Sequence, residues 1–437
     1  MYKVGAVVLT LLLGLGLTNT AMGASAPATP KLSKPVAVAL IEAQKQAAAK
    51  NFAVALEQSK IALAASVTPW DKFQSQQMLS YAQVQLKDNA AAVDTFEALI
   101  ASGLLPPEEL KTRIRNVCQL RYQLKDWTRA IKACGDYSKQ YNDREMGYLV
   151  PQIYFQQKNC PAAIDAIKVA IAGDPKPPKP LLQMLGRCNV EAKNGEGTQS
   201  AYEQMVTYYP DNAYWEDLLS MAQVKVRNSS RYDLEILRLR AATGVIEVPT
   251  EIVDLAESAL QVGLPGEAKS TLERALAAGQ IGTGAQKSAH MALLANARTQ
   301  AAEDLKNLIK DEVEAKKAPK GEPDLRLGEA LVSHARYEQG IAAMQRGIGK
   351  GGLKDPVEAK LRLGLALLQA GKKQEALAAL DEAKGPGNYA FIARLWAIQV
   401  RNAMKPAAGA TAGSATAEEE AEEAQDAEEE EAAHTGT

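Results

Sequence analysis

Few residues of this chain combine the type and the spacing that catalysis or metal binding would need. The three histidines, His290, His334 and His434, lie far apart, and none stands at helical spacing from a second histidine or from a cysteine. Metal sites built from side chains need such clusters. No glycine-rich phosphate loop follows a strand pattern, and no G-x-S-x-G nucleophile motif occurs. We therefore expect a non-enzymatic protein with no metal and no cofactor.

The residues that do follow a pattern are small ones inside helical segments. The stretch LRLGLALLQAGKKQEALAALDEA, residues 361–383, predicts a helical hairpin, because Gly371 separates two apolar helical halves. Gly364 on the first half is then expected to face Ala376 on the second. The preceding stretch repeats this arrangement with Gly328 and Gly340. Small residues at fixed places indicate helix backbones that approach each other closely.

The pattern continues towards the start of the chain and predicts an all-α repeat protein. The proposed second helices carry a small residue at Ala55, Ala92, Ala130, Ala163, Ala201, Ala268, Gly340 and Ala376. Two wider gaps predict degenerate hairpins near residues 213–245 and 284–318. The pattern therefore predicts about ten units that average close to 36 residues. They span residues 35–404 and end in a C-terminal capping helix. An irregular helical bundle is the alternative.

This pattern resembles the tetratricopeptide repeat (TPR), a helix–turn–helix unit of about 34 residues. The stretch YYPDNAYWEDLLSMAQ carries the junction between two units through Pro210 and Trp215. The resemblance implies a solenoid in which stacked hairpins bury a continuous core. It also implies a function in binding other proteins.

The two ends of the chain differ from the repeats. Lys3, an apolar run from Val4 to Leu17 and the small-residue site Ala21-Met22-Gly23 predict a signal peptide over residues 1–23, cleaved after Gly23. An uncleaved membrane anchor is the alternative. A linker is expected over residues 24–34, and a disordered acidic tail over residues 405–437. We expect a periplasmic protein with no membrane span after signal removal.

Charge is distributed unevenly along the chain. The net charge is −2, yet the tail holds ten acidic residues and, after Lys405, no lysine or arginine. The tail covers a basic surface of the repeats, competes with an acidic partner for that surface, or only aids solubility. The basic excess of the repeats is modest and spread out, so we expect no nucleic-acid partner.

The four cysteines suit disulfide bonds in an oxidising compartment, because their number is even and no C-x-x-C motif occurs. In the repeat register, Cys118 and Cys134 fall at facing positions of one hairpin. Cys160 falls at a hairpin turn beside the helix that carries Cys188. We predict the pairs Cys118–Cys134 and Cys160–Cys188; four buried free thiols are the alternative.

The resemblance also implies where a partner would bind, since the first helix of each repeat lines the inner groove of this family. The matching positions are Gln77, Tyr81, Arg115, Gln119, Tyr122, Tyr148, Gln152, Phe155, Gln183 and Arg187. Tyrosine and arginine are frequent anchors in protein interfaces. Packing between helices is the alternative role of the aromatic positions. The last three units carry mostly Ala, Leu and Gly there, which favours self-packing or a weak function in binding, and we expect no small-molecule ligand.

These observations predict an exported scaffold or adaptor that binds components of an envelope complex. The stretch YYPDNAYWEDLL and the signal peptide are similar to those of a periplasmic TPR protein that accompanies TonB–ExbB–ExbD systems. That similarity implies an accessory role in energy transduction and uptake. The alternative function is a carbohydrate or cell-wall binding module in polysaccharide export or envelope assembly.

Overall fold

The computed structural model describes residues 30–225, 230–246 and 248–405. The expected signal peptide, most of the linker and the acidic tail therefore lie outside the described residues. Within the described part every regular element is a helix. Internal contacts divide it into two units, one of residues 30–177 and 187–194, the other of residues 178–186 and those from 195 onward. No described helix is long and apolar enough to cross a membrane.

The first unit is a series of helical hairpins followed by part of one further helix. Its helices are α1 (Lys34–Ala48), α2 (Phe52–Ala64), α3 (Pro69–Gln85), α4 (Asn89–Ala101), α5 (Pro107–Gln123), α6 (Trp127–Tyr141), the short α7 (Arg144–Gly147), α8 (Leu149–Gln156), α9 (Cys160–Ala170) and the end of α10 (Lys179–Glu191). Successive helices contact each other throughout α1 to α9.

The second unit continues the hairpins and contains one exception, a single long helix. Its helices are the start of α10, α11 (Gly195–Tyr208), α12 (Asn212–Lys225), α13 (Ser230–Thr243), α14 (Pro249–Gln261), α15 (Pro265–Ala277), a 3-10 turn (Gly284–Gln286), α16 (Lys287–Lys317), α17 (Glu322–Ser333), α18 (Tyr337–Lys350), α19 (Pro356–Gln369), α20 (Lys373–Glu382) and α21 (Asn388–Met404).

The predicted small positions lie where two helices of a hairpin touch. All the alanines among them are fully buried, and most of the eight positions are the fourth residue of a second helix. A Cβ atom on Gly364 would lie 3.4 Å from the carbonyl oxygen of Ala376. The tetratricopeptide-like hairpin fold expected from the sequence is thus the fold of the chain.

The hairpin turns share a backbone conformation that the small-residue pattern did not predict. The residue two places before each of eight second helices has a positive φ, and five of these residues are lysines, such as Lys87 and Lys158. Each of these lysines is followed by an Asp or Asn, and the side chains of Asp88, Asp126 and Asn159 cap their second helices. The side chain of Asp88, for example, accepts a hydrogen bond from the Ala91 amide at 3.1 Å, and Asn159 accepts one from the Ala162 amide at 3.2 Å. The pair Lys-Asp or Lys-Asn therefore begins these second helices.

The expectation of a degenerate hairpin near residues 284–318 was wrong. That segment forms α16, one continuous helix of 31 residues. Its sequence contains neither glycine nor proline between residues 287 and 317, so nothing interrupts the helix. The degenerate hairpin expected near residues 213–245 is present as α12 and α13.

Helix α21 does more than the capping role predicted for it. It contacts α19 and α20, and it also contacts α11 and α13 at the start of the second unit. Asn402 donates a side-chain hydrogen bond to the Val206 carbonyl at 2.8 Å, and Gln399 donates one to the Ala242 carbonyl at 2.9 Å. Phe391 and Trp396 enter an apolar cluster formed with Trp215. The second unit is therefore closed on itself by its last helix.

Candidate functional site

The predicted groove residues lie on several helices and differ in how far they are buried. Gln77 and Tyr81 lie on α3; Arg115, Gln119 and Tyr122 on α5; Gln152 and Phe155 on α8; Gln183 and Arg187 on α10. Gln183 and Arg187 are exposed, and the others of this set are half-buried. Gln183 belongs to the second unit, whereas the rest belong to the first.

Tyr122 and Gln152 connect the first helices of two successive hairpins. The Tyr122 hydroxyl donates to Oε1 of Gln152 at 3.4 Å and accepts a hydrogen bond from Nε2 of Gln156 at 2.8 Å. Its ring meets the Trp127 ring edge-on, with centroids 5.9 Å apart. The sequence did not single out Gln156, which is exposed and lies one turn after Gln152.

Phe155 and Arg187 make the next connection, from α8 to α10. The Arg187 guanidinium carbon lies 5.4 Å from the centre of the Phe155 ring. This contact is a cation–π interaction, and the guanidinium remains largely open to solvent. We define the aromatic row as Tyr122, Gln152, Phe155, Gln156 and Arg187. It combines flat apolar surface, amide groups and a cation along three helices of the first unit.

The structure favours a packing role for other predicted groove residues. Tyr148 caps α7, is only 8% exposed, and its hydroxyl donates to a carboxylate oxygen of Asp174. That hydrogen bond is the main reason why the pKa of Asp174 is below its usual value. Tyr81 packs edge-on against Phe52 of α2, with ring centroids 6.2 Å apart. The assignment of Tyr148 to the groove stays a prediction, with most of its side chain buried.

Arg115 and Gln183 have surroundings of their own. The Nε of Arg115 is buried and has no hydrogen-bond acceptor among the described residues. Gln183 donates to the Tyr214 hydroxyl at 2.8 Å in the second unit, where Lys179 lies 5.1 Å from the same ring.

Both predicted cysteine pairs lie at disulfide distance. The Cα atoms of Cys118 and Cys134 are 4.8 Å apart, on α5 and α6. Those of Cys160 and Cys188 are 5.0 Å apart, at the first residue of α9 and late in α10. The second pair lies beside the aromatic row, because Cys188 follows Arg187 directly.

The two described histidines make contacts within the fold. Nε2 of His334 lies 2.7 Å from a carboxylate oxygen of Asp304, which joins the end of α17 to α16. Nδ1 of His290 accepts a hydrogen bond from the Gly282 amide at 3.1 Å. In the described ranges no group of three or more His, Cys, Asp or Glu residues is placed to hold a metal ion. His434 lies outside the described residues.

The second unit contains a cavity of about 490 Å³ that the sequence did not predict. Two largely buried arginines of its wall, Arg238 and Arg362, form ion pairs within their own helices and with neighbouring helices. Arg238 donates to Glu235 at 2.7 Å and to Glu267 at 2.8 Å. Arg362 lies 3.0 Å from Glu329 and also pairs with Glu358. Part of its lining comes from α17, α18 and α19, near the end of the chain.

Comparison with known proteins finds similarity to solved structures only. No protein-family model and no curated protein matches the sequence. Among solved structures, YrrB, described as a TPR protein with an unusual peptide-binding site, is 14% identical, covers 40% of this chain and 87% of its own, and gives a TM-score of 0.29. A tetratricopeptide repeat protein from Parabacteroides merdae is 11% identical over 77% of this chain and 100% of its own, with a TM-score of 0.29. The TPR domain of P58(IPK) is 13% identical over 85% of this chain and 99% of its own, with a TM-score of 0.21. At these scores the fold class rests on the repeated hairpins described above.

Proposed function

We propose that this protein is an exported scaffold that binds another protein through the aromatic row. The observation that supports it is the pairing of Tyr122 with Gln152, and of Phe155 with Arg187, across three helices. These side chains hold each other in place, so little conformational entropy is lost when a partner covers them. Aromatic and arginine side chains of this kind are the usual anchors of protein interfaces.

The proposed compartment is the bacterial periplasm. The charged start, apolar run and small-residue site of residues 1–23 support export. Two cysteine pairs at disulfide distance agree with an oxidising compartment. Cell fractionation and N-terminal sequencing test this proposal: the mature chain should begin at Ala24 and appear in the periplasmic fraction. A full-length protein in the membrane fraction would instead mean that the first segment is an uncleaved anchor.

Capture of partners tests the scaffold function. The full mature chain is immobilised and exposed to periplasmic extract, in parallel with a variant carrying Phe155→Ala and Arg187→Ala. A partner that binds the wild-type chain and is lost from the variant supports the proposal. Retention of the same proteins by both chains contradicts it. Binding of cell-wall polysaccharide to the wild-type chain, with no protein partner, would favour the alternative function.

The finer proposal is a role beside a TonB–ExbB–ExbD system in proton-driven uptake. Its only support is the similarity of residues 208–219 and of the signal peptide. Co-purification of the native complex tests it directly. Motor components among the partners would support the role, and synthases or export channels in their place would contradict it.

A further inference from the structure

The cavity of the second unit has an apolar floor. Leu264, Met344 and Leu365 line it, and each of these side chains is almost completely buried. They come from three different places in the chain, namely the α14–α15 turn, α18 and α19. The volume of about 490 Å³ falls within the range of cavities that hold a ligand-sized group.

The charged wall of the cavity is nearly balanced by its own ion pairs. Arg238 is held by Glu235 and Glu267, and Arg362 is held by Glu329 and Glu358. The guanidinium groups of Arg238 and Arg362 are therefore already paired with carboxylates of the protein.

Arg274 is the cation of the cavity that lacks a carboxylate partner. It is exposed on α15, and its Nε donates to the Ser270 carbonyl on the preceding turn at 3.2 Å. Among the residues that the structure describes, no carboxylate oxygen lies within 4.0 Å of its guanidinium nitrogens, the distance of an ion pair. An unpaired guanidinium beside buried apolar side chains suits a ligand with the complementary arrangement.

We propose that this cavity binds an apolar group that carries a carboxylate. The apolar part packs against Leu264, Met344 and Leu365, and the carboxylate accepts hydrogen bonds from Arg274. Two sources present this chemistry: a partner-protein segment in which a large apolar residue adjoins an acidic one, and a small carboxylic acid. The site lies in the second unit and does not depend on the aromatic row.

The test follows the methyl group of Met344 by NMR in the full mature chain labelled with ¹³C at its methionine methyl groups. A Met344→Leu variant identifies the signal. The probes are octanoate and the blocked peptide acetyl-Leu-Glu-Leu-amide, each beside a neutral counterpart, octanamide or acetyl-Leu-Gln-Leu-amide. We expect a carboxylate probe to shift the Met344 signal with a dissociation constant at least about tenfold lower than that of its neutral counterpart. Binding of the peptide identifies a protein segment as the source, and binding of octanoate alone identifies a small acid.

Substitutions at two exposed positions of the lining test the proposal without disturbing the folded core. Arg274→Ala and Gln369→Glu should each weaken the carboxylate probe about tenfold, the first by removing the donor and the second by adding a negative charge to the lining. Arg326→Ala, an exposed arginine of α17 that does not line the cavity, is the matched control and should leave binding unchanged. The proposal is overturned if no carboxylate probe shifts the signal at millimolar concentration, if neutral probes bind equally, or if Arg274→Ala has no effect.

Discussion

The guanidinium carbon of Arg187 lies 5.4 Å from the centre of the Phe155 ring, and the Cys160–Cys188 pair lies beside this contact. Cys188 is the next residue after Arg187, and Cys160 begins the helix that follows Phe155. The cation–π contact alone contributes about 0.5–1 kcal/mol at an exposed site. The covalent link therefore does more than that contact to fix where α10 lies beside α8 and α9.

The aromatic row should contribute to binding more than to stability. Phe155→Ala together with Arg187→Ala should weaken binding of the captured partner by at least about 1–2 kcal/mol, the range of interface anchors. Isothermal titration and thermal unfolding measure the two effects on the same variant. Lys168→Ala, on the second helix α9, is the control for lost positive charge. Unchanged affinity with a lowered melting temperature would assign the row to packing.

The two disulfides should differ in their effect on binding. Each closes a loop whose cross-link stabilises the fold by about 3 kcal/mol in the chain-entropy account, from sequence separations of 16 and 28 residues. Replacing either pair by serine should therefore lower the unfolding free energy similarly. Only the Cys160–Cys188 replacement should also weaken partner binding, because it releases α10 beside the row.

Thiol titration checks the premise of that comparison. Protein purified from an oxidising compartment should show no free thiol after denaturation, and peptide mapping should link Cys118 with Cys134. Four reactive thiols would contradict both pairings. Equal loss of binding in the two serine variants would show that Cys160–Cys188 has no special effect on the row.

The hairpins were predictable from the sequence because each unit repeats the same local packing. A small residue is required wherever two helix backbones meet, so Ala92, Ala130 and Gly340 recur at readable spacing. The Lys-Asp and Lys-Asn pairs at the turns are a second signal of the hairpins in the sequence. That signal is not sufficient alone, since Lys306-Asn307 lies inside the continuous helix α16.

The cavity and the closure by α21 could not be predicted, because they depend on contacts between distant residues. Arg231 donates to Glu329 at 2.7 Å across 98 positions of sequence, and Asn402 reaches Val206 across 196. Neither contact follows the repeat pattern, so neither can be predicted from the periodicity of the sequence. The burial of Tyr148 could not be predicted either, because its hydroxyl bonds to Asp174, 26 positions later in the sequence.

Close backbone contact should make two glycines of the α17–α18 hairpin hard to replace. A Cβ on Gly328 would lie 2.8 Å from the Gly340 carbonyl oxygen, and a Cβ on Gly340 would lie 2.7 Å from the Gly328 oxygen. Either alanine variant forces the helices apart, at a cost of about 1–3 kcal/mol of unfolding free energy. Chemical denaturation monitored by circular dichroism measures this cost.

Gly349 of α18 provides the matched control for that experiment. A Cβ there would meet nothing within 4 Å. Gly349→Ala should therefore stabilise the protein by about 0.5 kcal/mol through helix propensity. Destabilisation of similar size at Gly328, Gly340 and Gly349 would show that close approach is not the reason.

Acid should release a connection between the first two hairpins. One carboxylate oxygen of Asp71 accepts from the Ser33 amide at 2.9 Å, and the other accepts from the Thr68 amide at 3.1 Å. The Ser33 bond is the main reason why the pKa of Asp71 is below its usual value of 3.8, and the Thr68 side chain and backbone lower it further. Because the folded pKa is below the unfolded one, the stabilisation is complete above the unfolded value and is lost as the pH falls through the folded value.

Comparison of the wild-type chain with Asp71→Asn isolates this contribution from that of other carboxylates. At pH 7 the variant should melt at a lower temperature, because its neutral amide is a weaker acceptor for the Ser33 and Thr68 amides. The difference between the two melting temperatures should begin to shrink below about pH 4, where the carboxyl of the unfolded chain takes up a proton, and should go on shrinking as the pH falls through the lower folded pKa. Asp165→Asn, at an exposed site on α9, is the control for the loss of a carboxylate elsewhere on the surface. A difference at pH 3 as large as that at pH 7 would mean that the charge of Asp71 does not stabilise the start of α3.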